Sequence, residues 1–296
     1  MAEKFHGLFP ALVTPMTADE QVDHKTLADF IDYLIEEGGV HGIIPLGSTG
    51  EYYALSAQER SDVLRTTIQT VAGRVPVVAG ANAGSTRDVV QYCREAEKLG
   101  AAGVLLAPPY YSLPRDDELV AHFRAASDAV GIPIMLYNYP GRTGVDMQPD
   151  LIERLAELKQ VRYVKESTGD IRRISEIIRR LGDRITVFCG CDTIALESLL
   201  LGTPGWVSGS ANVLPREHVE IYRIAVEKQD FLGAKAPFYK LMAFLALAEG
   251  GGKYTQYVKA GCGLTGHPVG PPRRPLLPIG AEEMALLKKA IAEVRR

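Results

Sequence analysis

Apolar residues along this chain fall into two alternating patterns: short continuous runs, and longer stretches in which they recur every three or four positions. The short runs predict strands at Leu8–Val13, Gly42–Leu46, Pro76–Ala81, Gly103–Ala107, Pro133–Tyr137, Val161–Glu166, Ile185–Cys189 and Gly205–Ser208. Between them lie amphipathic segments such as "DHKTLADFIDYLIEEGG" (23–39) and "SAQERSDVLRTTIQTVAG" (56–73), which predict helices. "GGVHGII", "LGAAGVLL" and "LGTPGWVS" each place one Gly where a helix should end and another where a strand should start. Eight βα units of similar length favour a parallel barrel, (β/α)8, over an open doubly wound sheet.

After Pro215 the pattern is helical only: "REHVEIYRIAVEKQ", "LGAKAPFYKLMAFLALAE", "KYTQYVKAG" and "AEEMALLKKAIAEVRR". One of these would complete the eighth unit and the rest would form a C-terminal helical extension. The expected division is a barrel over 1–228 and a helical domain over 229–296. "HPVGPPRRPLLPIG" (267–280) reads as an ordered extended connection, since each Pro removes a donor and disfavours helix in the residue before it.

Composition narrows the function classes. A chain of 296 residues with 46% hydrophobic content can bury a large core. A formal net charge of −3 gives no basis for a polyanion partner, and the basic clusters "IRRISEIIRR" (171–180) and "PPRRP" (271–275) read as solvated faces. Nucleic acid is not an expected partner. "MAEKFHGLFPALVTPM" has too short an apolar run for a signal peptide, and no stretch reaches the roughly 18 to 20 uninterrupted apolar residues of a membrane span. The expected location is the cytoplasm, with no membrane partner. Cys189 and Cys191 lack the second pair a zinc site needs, so the four cysteines read as reduced thiols, most of them buried.

In a βα barrel the reacting groups sit at the C-terminal ends of strands and in the loops that follow. Those positions carry "GSTGE" (47–51), "PPYYS" (108–112), "YNYPGRTG" (137–144), "KEST" (165–168), "CGCD" (189–192) and "SGSAN" (208–212). Lys165 is the group with the clearest rationale. An amine in a low-dielectric barrel mouth has its charged form disfavoured, which raises the neutral fraction able to attack a carbonyl. The alternative is a lysine reaching from a strand end to solvent. An imine-forming enzyme for 2-keto acids also needs carboxylate donors and a proton shuttle. Ser48 and Thr49 can supply hydroxyls and backbone N–H groups, Tyr137 can relay protons, and Arg142 can hold a second anion.

"GCGLTG" (261–266) fits a dinucleotide fingerprint but follows a helix pattern and runs into prolines, so it is a chance match. No motif calls for a nucleotide, flavin or metal. No cofactor is expected beyond the lysine itself.

The ordered set "GSTGE", "PPYY", "YNYPGRTG", "YVKESTGD", "GCD" and "SGSANV" resembles the dihydrodipicolinate synthase/N-acetylneuraminate lyase family of class I aldolases, over essentially the whole chain. The resemblance implies a (β/α)8 TIM barrel with C-terminal helices, usually a homotetramer. It implies Lys165 as the Schiff-base residue for pyruvate or a related 2-keto acid, Tyr137 as its acid/base neighbour, and Ser48 and Thr49 on the keto-acid carboxylate. Ser48 would link Tyr137 into a hydroxyl relay that Tyr111 completes from a neighbouring subunit. Gly190 and Val207 would line the keto-acid pocket, and Arg142 matches the arginine that synthases use for the carboxylate of aspartate semialdehyde.

Two departures bear on substrate. The serine of "GSTGE" stands where synthases carry threonine, and "KYTQYVK" (253–259) replaces the usual Asn-Pro element. The resemblance therefore implies a lyase acting on a keto acid and an aldehyde, with synthase-type condensation first. A 2-keto-3-deoxy sugar-acid aldolase or dehydratase and a hydroxypyrroline-carboxylate deaminase are alternatives within the class. A non-catalytic keto-acid-binding barrel is the alternative outside it.

Overall fold

The computed structural model describes residues 5–295; Met1 to Lys4, where the predicted barrel begins, and Arg296, where the last predicted helix ends, lie outside the described residues. Seven parallel strands form one sheet: β1 (Gly7–Pro10), β2 (Val78–Gly80), β3 (Gly103–Leu106), β4 (Ile134–Asn138), β5 (Val161–Glu166), β6 (Thr186–Cys189) and β7 (Gly205–Ser208). Their spatial order is β1-β7-β6-β5-β4-β3-β2.

The gap between β1 and β2 is closed by Ile43 and Ile44. Ala11 bridges Ile44 and Val77 bridges Ile43, both parallel, and backbone hydrogen bonds run to this segment from both sides. The sheet is thus a closed eight-stranded barrel. The predicted second strand, Gly42–Leu46, is shorter than expected for a local reason. Pro45 has no N–H to donate, and Leu46 turns into the left-handed region at φ 60°.

Period-two alternation sorts the strand residues between two cores. Phe9, Leu105, Met135, Tyr137, Tyr163, Phe188 and Val207 point into the barrel, whereas Leu8, Val104, Leu106, Ile134, Leu136, Val164, Val187 and Trp206 point out to the helices. Tyr163 is inward-facing, so Lys165, two residues on, is inward-facing too.

The predicted helices form where their caps allow. Asp23 caps His24–Asp32, accepting from the Thr26 N–H at 3.0 Å, and Ser56 with Glu59 makes a capping box that starts Ala57–Val71. Pro215–Tyr222 completes the eighth unit, and Phe231–Gly250, Tyr254–Leu264 and Ala281–Val294 form the C-terminal helices. Phe231–Gly250 is long and apolar enough to cross a membrane by length and composition, but it buries Phe238, Leu241, Phe244 and Leu245 in the core. Gly261 and Gly263 of "GCGLTG" lie inside helix Tyr254–Leu264, so that segment cannot cradle a phosphate as a glycine loop.

Neither basic cluster is wholly a solvated face. Arg172 and Arg179 on the helix Ile171–Leu181 are exposed and Arg180 half-buried, each paired with an acid, as a solvated face should be, but Arg173 turns inward, 13% exposed, and pairs with Asp146 at 2.9 Å. Arg273 turns inward too. Its side chain is 12% exposed, pairs with Glu59 at 2.7 Å and donates to the Ala54 carbonyl, which corrects the reading of "PPRRP" as a solvated face. It pins the extended proline segment to the barrel.

Candidate active site

β4 and β5 run in register with Tyr137 beside Lys165, and β5 and β6 with Lys165 beside Phe188. Lys165 is 6% exposed, and its Nζ lies 4.1 Å from the centre of the Tyr137 ring. Burial lowers its pKa from 10.5 to about 8, against an opposing pull from Asp192 and Glu249. At pH 7 roughly a tenth of such amines are neutral, against about 0.03% of ordinary lysines. Burial pushes the Tyr137 phenol up to about 12, while a hydrogen bond from its neighbour Ser48 and the charge of Arg142 pull the other way. Tyr137 is therefore a proton donor across the neutral range, next to an amine that can lose its proton.

Gly190 follows β6 at the point where Lys165 crosses the barrel mouth. A Cβ there would stand 2.0 Å from the Ser167 Oγ and 2.6 Å from the Lys165 Cγ. Only glycine leaves room for the lysine chain. The Gly190 carbonyl accepts from Ser167 Oγ at 2.9 Å, which fixes the loop beneath the amine.

These groups open into a cavity of about 770 Å³. Lys165, Tyr137, Ser48, Thr49, Arg142, Gly190 and Val207 all line it. Arg142 comes from the single turn Pro140–Thr143 after β4 and is exposed at the mouth. Tyr111 does not line this chain's cavity: it is 97% exposed, with its backbone at φ 74°. Its neighbour Tyr110 lines the cavity instead.

Several residues went unassigned in the sequence. Asp192 is 2% exposed; its carboxylate accepts from the Trp206 indole at 2.9 Å and the Tyr254 hydroxyl at 2.5 Å. Glu249, at the end of the long helix, accepts from the Asp192 N–H at 2.6 Å and the Thr193 hydroxyl at 2.7 Å. Burial, then the charge of Asp192, raises the Glu249 pKa. Tyr254 and Glu249 both line the cavity, so the C-terminal helices build one of its walls. No spacing signal could have found them, because they meet Asp192 across more than fifty residues. All four cysteines are free; Cys93, Cys189 and Cys262 are buried and Cys191 is half-buried. Among the described residues no group of three or more His, Cys, Asp or Glu is placed to hold a metal ion.

The model of the dihydrodipicolinate synthetase family matches residues 4–294. The chain belongs to the dihydrodipicolinate synthetase family. Among curated members it is 37% identical to the 4-hydroxy-tetrahydrodipicolinate synthase of Geobacter metallireducens, over 96% of this chain and 98% of that one. It is 46% identical to the enzyme of the same name from Pelobacter propionicus, over 72% and 73%. Among solved structures, the dihydrodipicolinate synthase of Aquifex aeolicus superposes with a TM-score of 0.93 at 32% identity, covering 98% of each chain. The chloride-inhibited dihydrodipicolinate synthase of Acinetobacter baumannii, solved with pyruvate, gives 0.93 at 33% identity over 99% of each. The fold of this dihydrodipicolinate synthetase family member is thus the family's fold across its full described length.

Proposed function

We propose that this chain is a Schiff-base-forming lyase that condenses pyruvate with aspartate semialdehyde, as a 4-hydroxy-tetrahydrodipicolinate synthase does. The observation that carries the reading is Lys165: an inward-facing amine at the barrel mouth, 6% exposed and held at a pKa of about 8. The neutral amine attacks the pyruvate carbonyl carbon, and the carbinolamine loses water to give the imine. The Tyr137 hydroxyl gives and takes the protons of these steps, with Ser48 passing them on. Ser48 and Thr49 receive the keto-acid carboxylate. Loss of a C3 proton then gives the enamine, whose carbon attacks the aldehyde of the second substrate; the amine of that substrate then attacks the imine carbon, which closes the ring and releases Lys165.

Arg142, exposed at the cavity mouth, is the cation placed to take a second carboxylate. The proposal extends to the assembly: a homo-oligomer, by resemblance a tetramer, in which Tyr111 enters the neighbour's relay. A 2-keto-3-deoxy sugar-acid aldolase or dehydratase is the second reading. It is favoured by Tyr254, which occupies the cavity wall where the synthases' Asn-Pro element is missing.

Borohydride reduction with pyruvate, followed by peptide mass mapping, is the direct test. A reduced adduct on Lys165 is expected; its absence would retire both the lyase readings and leave a binding barrel. Turnover is expected to survive a chelator. In R142A, kcat/KM for the condensation should fall by about 1.5 to 3 kcal/mol while the pyruvate adduct still forms. Equal kcat/KM in both enzymes, or a better rate with 2-keto-3-deoxy acids than with aspartate semialdehyde, would shift the assignment to the second reading.

A further inference from the structure

Glu51 ends the GSTGE loop and takes no part in the chemistry above, yet its side chain is fully buried and its backbone is left-handed at φ 56°. Leu46, at the other end of the loop, is left-handed too, at φ 60°. Residues with a Cβ avoid this region because the side chain crowds the following carbonyl. Such residues persist where tertiary contacts over-determine the backbone. Here two of them bracket the Gly47–Gly50 turn that presents Ser48 and Thr49.

The contacts converge on one carboxylate. Lys259 Nζ, from helix Tyr254–Leu264, stands 2.6 Å from Glu51 Oε1, with the two side chains 1% and 0% exposed. The Arg273 backbone N–H donates to Glu51 Oε2 at 2.7 Å, and Lys259 also donates to the Pro271 carbonyl at 2.8 Å. Thr14 closes the turn from the first βα unit, donating to the Gly50 carbonyl at 2.7 Å. Barrel loop, C-terminal helix and proline segment are therefore tied at a single point beneath the keto-acid site.

An ion pair sealed from water is a weak source of stability, because desolvating both charges offsets their attraction. What it does supply is geometry: neither charge can leave without stranding the other. We infer that the Glu51–Lys259 pair is a positioning device, by which the C-terminal helix sets the Gly47–Gly50 turn so that Ser48 reaches Tyr137 and Thr49 faces the cavity. Neither Glu51 nor Lys259 lines that cavity, so both are positioning residues rather than catalytic ones. The inference rests on the reading that Ser48 and Thr49 receive the keto-acid carboxylate.

The test uses the full chain with three variants: K259M, E51Q and the double replacement E51M/K259M, which removes both charges at once. Thermal midpoint, hydrogen exchange of the peptide covering residues 46–52, and the pyruvate concentration giving half-maximal borohydride trapping on Lys165 are measured together. K259M strands a buried carboxylate and should lower the midpoint, whereas the double variant should recover it, as apolar replacements of buried pairs do. In the double variant, exchange in 46–52 is nonetheless expected to rise about tenfold and half-saturating pyruvate to rise about tenfold, with trapping at saturation within about threefold of wild type. Recovery of midpoint, exchange and half-saturation together would overturn the inference, because the pair would then serve folding alone. E51Q keeps the outline of the acid and carries the same two readouts if the apolar pair does not fold; wild-type values in it overturn the inference equally. A wild-type chain that traps no pyruvate would retire the Schiff-base reading instead, and the exchange rates would still decide whether the pair holds the turn.

Discussion

At the scale of the residue, the proposed chemistry turns on what burial does to one amine. The folded chain holds the Lys165 proton less tightly than the unfolded chain, whose lysine titrates near 10.5. Below pH 8 the buried ammonium therefore costs the fold about 3 kcal/mol, a cost relieved as pH rises from about 8 toward 10.5. K165M should raise the thermal midpoint at pH 7 while abolishing the adduct, and an unchanged or lower midpoint would contradict the desolvation account. In the proposed reaction the same titration sets the rate. The second-order rate of adduct formation with pyruvate should climb about tenfold per pH unit below 8 and level off above it. A flat profile between pH 6 and 8 would mean the amine is neutral for another reason. G190A tests the space beside the amine: with a Cβ 2.6 Å from the Lys165 Cγ, the lysine must move, and trapping should fall by about two orders of magnitude in a folded protein.

At the scale of the element, the wall made by the C-terminal helices is held by carboxylates rather than by apolar packing alone. Glu249 ends the helix Phe231–Gly250 and takes the N–H and hydroxyl donors that start the helical turn after β6. Asp192 in turn fixes Tyr254 and Trp206. Y254F removes one donor from a buried carboxylate but leaves the ring in the wall. It should lose about 1–3 kcal/mol in urea titration while trapping pyruvate normally. Loss of trapping at full stability would instead make the Tyr254 hydroxyl part of the reacting site.

At the scale of the whole molecule, Tyr111 is the residue that tests the proposed assembly. A tyrosine 97% exposed, in a left-handed conformation next to the cavity-lining Tyr110, does not itself line the cavity of its own chain. If it completes the neighbour's relay, Y111F and K165M should each be inactive, and mixed oligomers reassembled from the two should regain turnover. Across each mixed pair, one site would combine an intact Lys165 with an intact Tyr111 from the other subunit, and the second site would have neither. Failure of such hybrids, with oligomers confirmed by sedimentation, would confine Tyr111 to a structural role.

The sequence by itself determined the barrel and the candidate reacting side chains, for physical reasons visible in its patterns. Continuous apolar runs marked the strands, and Tyr137 and Lys165 fall at strand ends, where a barrel places its reacting groups; the inward turn of both side chains and the room that Gly190 leaves came from the fold. Local backbone chemistry trimmed the detail: Pro45 and the left-handed Leu46 reduced the second strand to the two residues Ile43 and Ile44. Only the tertiary structure decided what surrounds the amine. The Asp192–Tyr254, Glu249–Thr193 and Glu51–Lys259 contacts join segments that share no periodicity, and Arg273 left its apparent surface cluster because the half-buried Glu59 met it across the fold. Strand patterns record where a strand runs and ends; they carry no record of which distant helix its side chains will meet.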